Sequence, residues 1–140
     1  MKSGSLKKIE QLLNRAGLRK TRQRVDVLGI LVNAKRPMTQ EQIGLKLRTA
    51  APNKVTIYRC LESFVEAGLV HRAYLEDRTR HYELGDHCTE LQCHPHFVCT
   101  KCGMTRCMTD TSIGMVKGLK RGFVVHRQQV RLEGLCPRCA

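Results

Sequence analysis

The stretch "NKVTIYRCLESFVEAGLVHRAYLEDRTRHYEL", Asn53–Leu84, decides the fold. Its first part begins near Asn53, lines up Ile57, Leu61, Phe64 and Val65 at helical spacing, and ends at Gly68. Its second part carries Leu69, Val70, Ala73 and Tyr74, then Tyr82 and Leu84, with polar "EDRTR" between them; this predicts two strands joined by a hairpin loop. Three segments upstream read as helices. "SLKKIEQLLNRAG" places Leu6, Ile9, Leu12 and Leu13 on one face and stops at Gly17. "TRQRVDVLGILVNA" opens with Thr21 as N-cap and aligns Val25, Leu28, Leu31 and Val32. "PMTQEQIGLKL" sets Thr39 and Gln42 at capping-box spacing ahead of Ile43 and Leu47. Short helices followed by a hairpin are the order of a winged helix-turn-helix, in which the helix before the wing enters the major groove of DNA.

The charge agrees with that order. The formal net charge is +13, and the first sixty residues hold fourteen Lys and Arg against three acidic residues. Solubility alone does not call for so one-sided an excess; a polyanionic partner does. No segment is long and apolar enough to span a membrane, and the N-terminus lacks a signal-peptide core, so a cytoplasmic protein with reduced thiols is expected. Eight cysteines there read as metal ligands or reactive thiols.

Those cysteines, apart from Cys60, all follow residue 87, and all six histidines follow residue 70. The second half is therefore a different kind of chain. "HFVC", "GMTRCM" and "FVVHRQQVRLEG" have strand character; "DTSIGMVKGLKRG", with Ile113, Val116 and Leu119 along one face, predicts a short helix. A unit this small needs a staple, and a metal plus a dimer interface are expected. Cys99-Thr-Lys-Cys102 and Cys136-Pro-Arg-Cys139 supply one: each two-residue gap lets two thiolates face one point, and two such turns make a closed tetrahedral zinc site. Two unrelated pairs of free thiols, or a redox CxxC, would not need the twin. The expected architecture is α+β: a winged helix-turn-helix domain over 1–84, a hinge over 85–94 and a small α+β dimerisation domain over 95–140.

"AGLRKTRQR" at Ala16–Arg24, "VTIYRCLESFVEAGLV" at Val55–Val70 and "HPHFVCTKCG" at His94–Gly103, with the closing CxxC, together resemble the ferric uptake regulator family of metal-dependent DNA-binding repressors. The resemblance implies a homodimer whose hinge metal locks two DNA-binding domains at the spacing of an AT-rich palindromic operator. Tyr58 and Arg59 match the family's recognition-helix pair and Arg19 its minor-groove basic residue; Thr56 and Lys54 of the same helix are candidate contacts. Those roles fit an arginine drawn to a narrow AT minor groove and a tyrosine against thymine methyls. The alternative for Tyr58 is a half-buried core aromatic.

The family also carries a second, sensory metal. His94 and His96 match it, and on a strand i and i+2 face the same way. The candidates beside them are His71, His81, Glu83, His87, Cys88, Cys93, Cys107 and His126. The sequence departs from the iron type: "AKRPMT" lacks the expected histidine, and Cys107 stands where a carboxylate is usual. Sulfur and imidazole favour zinc over Fe2+ or Mn2+, so the closest ligand chemistry is that of the zinc uptake regulator subgroup. The expected sensory ligands are His94, His96, Cys88 and Cys107, with Cys93, Glu83 and His71 in reserve; Cys107 could instead be a small buried strand residue. His126 is set aside, because Pro95 and Gly114 stand where its usual partners would be, and Cys60 reads as packing. One structural Zn2+ per subunit, a sensory Zn2+, double-stranded operator DNA controlling metal-uptake genes and a repressor's role follow. A ferrous- or peroxide-responsive regulator is the nearer alternative. A zinc enzyme is the remoter one, since neither HExxH nor the deaminase HxE…PCxxC pattern occurs.

Overall fold

A computed structural model describes residues 3–34, 36–48, 52–85, 92 and 94–140. The chain is α+β and forms two compact units, Met1–Asp86 and His87–Ala140.

In the first unit, α1 (Ser3–Arg15), α2 (Arg22–Asn33), α3 (Gln40–Leu47) and α4 (Lys54–Glu66) surround one apolar core. The caps that start them are local and polar. Thr21 accepts from the Arg24 amide at 3.3 Å, Asn53 from the Thr56 amide at 2.9 Å, and Thr39 and Gln42 close a reciprocal capping box. Two helices end identically. Leu18 N donates to Leu13 O and Gly17 N to Asn14 O after α1; Leu69 N donates to Phe64 O and Gly68 N to Val65 O after α4. These are Schellman closures, with Gly17 and Gly68 at φ of 69° and 72° and a leucine following each. Leu18 and Leu69 both pack against the core, so each closure also turns the chain inward.

The α4 closure hands the chain directly to β2 (Val70–Glu76), which pairs with β3 (Thr79–Leu84). The five-residue loop expected between them is tighter: Asp77 and Arg78 alone make the turn, both at positive φ, and Thr79 and Arg80 already belong to β3. A two-residue strand, β1 (Met38–Thr39), pairs with the other edge of β3 and escaped the sequence reading. The sheet order is β1-β3-β2, the winged helix-turn-helix arrangement.

The second unit is a sheet of order β5-β4-β6, from β4 (His96–Cys99), β5 (Thr105–Cys107) and β6 (Arg131–Gly134). The helix expected in "DTSIGMVKGLKRG" does not form. Gly118 and Gly122 sit at φ of 75° and 95°, outside helical space. The Gln128 side chain donates to Gly114 O at 3.0 Å and accepts from Val116 N at 2.7 Å, while Gln92 donates to Ile113 O. Three glycines remove the helical preference, and side-chain amides take the backbone groups a helix would pair. The strand expected over "FVVHRQQVRLEG" shrinks to its end, Arg131–Gly134.

A Cβ at Gly68 would meet nothing within 4 Å, so Gly68→Ala isolates the backbone cost of a left-handed residue. The substitution should lower stability by about 1–2 kcal/mol, read as a shift in urea midpoint. An unchanged midpoint would mean the closure contributes nothing.

Candidate functional site

Strand pairing assembles the second unit's ligands from the register upward. β4 runs parallel to β6, with Cys99 opposite Gly134, so Cys136 follows two residues beyond the partner of Cys99. On the other side of Cys99, the chain folds back into β5 through a turn that contains Cys102. Cys99 N bonds Met104 O at 2.8 Å, Gly103 N bonds Cys99 O at 2.9 Å, and Gly103 takes a φ of 72°. Cys139 N closes its own turn on Cys136 O at 2.9 Å. The result is four Sγ atoms, of Cys99, Cys102, Cys136 and Cys139, all within 4.8 Å of one another.

The surroundings of these thiols suit anionic sulfur. Backbone hydrogen bonds around Cys102, and next the Cys136 amide at 3.4 Å from Cys99 Sγ, hold the Cys99 thiol down to about 6. At Cys136 burial pushes the thiol up, but hydrogen bonds from the Arg138 backbone and the Cys139 thiol outweigh it and the net direction is down. Cys139 is pushed up to about 12, first by its hydrogen bond to Cys136 and then by burial. A divalent cation removes that conflict by taking all four as thiolates. The donor set therefore fits zinc: four sulfurs, no open position and a closed role in folding.

A second cluster sits at the other end of β4. The antiparallel register sets His96 opposite Cys107, and the His94 and His96 rings lie 4.7 Å apart between centroids, tilted by 55°. Each of His94, His96 and Cys107 offers one ligand atom, all within 4.8 Å of one another. His96 is buried and Cys107 is half-buried. Cys88, Cys93 and His87 lie outside the described residues.

In the first unit, His71 and Glu83 are cross-strand partners on β2 and β3. Both are buried, and His71 Nε2 lies 2.7 Å from Glu83 Oε1. The sequence offered the two as separate reserve ligands and gave no sign of this bond, because it depends on the hairpin register. His81 turns its Nδ1 to Thr79 O at 3.2 Å, and His126 is exposed.

On α4 the helix divides by function of face. Ile57, Cys60, Leu61 and Phe64 are buried, whereas Lys54, Val55, Tyr58 and Arg59 are exposed. Tyr58 is 43% exposed, which removes it from the core. Thr56 is half-buried, and its hydroxyl is bonded to the Asn53 cap at 3.0 Å. Arg19 is exposed, and its carbonyl accepts from Arg24 Nη1 at 2.9 Å, which fixes the backbone that presents it. Burial raises the Cys60 thiol, opposed by the charge of Arg24, so this cysteine is an inert packing residue.

The model of the ferric uptake regulator family matches residues 15–132. A ferric uptake regulation protein of Synechococcus elongatus is 31% identical over 134 residues, covering 91% of this chain and 89% of that protein. Among solved structures, the ferric uptake regulator from Pseudomonas aeruginosa with manganese is 26% identical with a TM-score of 0.60, over 92% of this chain and 98% of that one. A zinc uptake regulator complexed with zinc and DNA shares the fold at a TM-score of 0.64 and 23% identity, over 95% and 91% of the two chains.

Cys136→Ser should remove one zinc per subunit in native mass spectrometry and unfold residues 87–140, while the helical circular dichroism of the first unit persists. The lowered Cys99 thiol gives a pH signature as well. Zinc binding must displace a proton from each thiol it takes, so protons compete with the metal for the site. Zinc retention during dialysis should thus fall progressively as the pH is lowered; retention that does not respond to acid at all would contradict a thiolate cage.

Proposed function

The chain belongs to the ferric uptake regulator family, and on that premise we propose that it is a repressor for which zinc is the corepressor. It is a metal-responsive transcriptional regulator, and regulators of this family bind DNA. Its described relatives are regulators, and among the described residues no helix is long and apolar enough to cross a membrane.

The observation that carries the choice of zinc is Cys107 opposite His96, with His94 beside them. A thiolate and two imidazoles form a soft, nitrogen-rich set that zinc occupies readily and that an oxygen-seeking metal does not. The fourth donor expected from the sequence is Cys88, with Cys93, Glu83 and His71 in reserve. The four-cysteine cluster takes a permanent zinc that secures the second unit. The looser cluster answers to free zinc.

Bound zinc would tie its donors together; the protein supplies what the tie controls. In this reading two copies of the chain associate through the second unit and present two α4 helices to successive major grooves. Lys54, Tyr58 and Arg59 face the DNA from α4, and Arg19 reaches the minor groove of an AT-rich palindrome. The controlled genes are those of metal uptake. A ferrous- or peroxide-responsive protein of the same family is the competing reading.

Operator affinity measured against buffered free metal at one salt concentration decides between them. Zinc should tighten binding about 5- to 150-fold, and Fe2+ or Mn2+ far less. Cys107→Asp should weaken the zinc response and strengthen that to Mn2+ or Fe2+. Equal affinity with the sensory cluster empty or filled ends the zinc reading, and a larger response to Fe2+ in the unaltered protein transfers the assignment to iron.

A further inference from the structure

Val55 is apolar at a point of α4 that has no core to meet. At about 100° per residue it lies about 180° around the helix from Phe64, which is sealed in the core. Val55 is 56% exposed, and Tyr58, one turn further on, is 43% exposed. Residues three apart are neighbours on a helix surface, so the two form one apolar patch on the outward face. A lone exposed valine is ordinary. A valine and a tyrosine together, flanked by the exposed cations Lys54 and Arg59, are not explained by solubility. Further along the same face, Glu62 is already taken by Arg72 at 2.6 Å.

Helix propensity does not account for Val55 either. A β-branched residue on an exposed helix face is a poorer choice than alanine, lysine or glutamate. The backbone that carries it is firmly held. Asn53 Oδ1 accepts from the Thr56 amide at 2.9 Å and from the Thr56 hydroxyl at 3.0 Å, and the Gln40 side chain of α3 donates to Lys54 O. The chain is thus pinned on both sides of Val55, and Thr56 commits its hydroxyl to the cap. Val55 presents two methyl groups from a fixed position, with little side-chain freedom to lose on contact.

Among the four bases only thymine shows a methyl group in the major groove. We propose that Val55 is a specificity-determining residue, which packs on the 5-methyl group of a thymine in each half-site of the operator. The contact reads the base by shape and burial, without a hydrogen bond. The inference rests on the DNA-binding part of the proposed function and deepens it, and it is independent of which metal is sensed.

The test uses the full-length, zinc-loaded protein and the duplex it selects from a randomised pool. Each thymine of that duplex is replaced in turn, in both half-sites, by deoxyuridine, which lacks only the methyl group. Affinity is read by fluorescence anisotropy at one salt concentration. The unaltered protein should lose about fourfold per half-site at the position Val55 meets, the effect of one buried methyl group. Val55→Ala should lose about as much on the thymine duplex and become indifferent to deoxyuridine at that position alone, so that the two losses do not add. Alanine favours a helix and the site is exposed, so the Tm of Val55→Ala should be no lower than that of the unaltered protein, which separates lost contact from lost fold. A full deoxyuridine penalty at every position in Val55→Ala overturns the proposal, and so does unchanged affinity of that variant for the thymine duplex. A uniform loss on every duplex together with a lower Tm marks Val55 as a packing residue and overturns it as well. If the unaltered protein selects no duplex at any zinc level, the proposed function has failed instead.

Discussion

The four residues of β4, His96–Cys99, are the element on which the second unit depends. Its parallel pairing with β6 and antiparallel pairing with β5 decide what converges at each end. Cys99 at one end joins the four-cysteine cluster; His96 at the other faces Cys107. Both residues are buried while the two between them are half-buried. Because successive side chains alternate faces, a one-residue slip against β5 would turn Cys107 away from His96, and a slip against β6 would carry the Cys136 turn away from Cys99. The hydrogen-bond ladder is thus as much a part of the metal chemistry as the sulfur.

That arrangement also places the two clusters on one short rigid segment. The four-thiol group gathers at one end of the strand and the mixed group at the other. The first unit has its own, metal-free solution to stability: a single apolar core with capped helices and two Schellman closures. Apolar packing is thick in the first unit and thin in the second, where few of the described side chains after residue 87 are fully buried.

Much of the first unit was legible in sequence because its signals are local. The N-caps at Thr21, Thr39 and Asn53, the stops at Gly17 and Gly68 and the apolar stripe of α4 each lie within a few residues of what they control. What failed was non-local. β1 is two residues long and exists only because β3 offers an edge. The bond between His71 and Glu83 spans a hairpin whose turn was read as five residues and is two. Residues 110–122 carry apolar side chains at helical spacing, yet Gln92 and Gln128, distant in sequence, occupy their backbone groups. That the two CxxC pairs could converge was legible from spacing alone. That His94 and His96 gain Cys107 as a neighbour needed a strand register, which no spacing encodes.

The placement of sulfur divides the molecule's chemical vulnerability. Cys60 sits sealed inside the first unit, with its thiol kept protonated by burial, whereas Cys102 of the second unit is exposed to solvent. Peroxide or a disulfide arriving from outside would meet the clustered thiols of the second unit long before it reached Cys60 on α4. Oxidative damage would thus begin at the clustered thiols and leave α4 chemically intact, a form of injury that a reductant could undo.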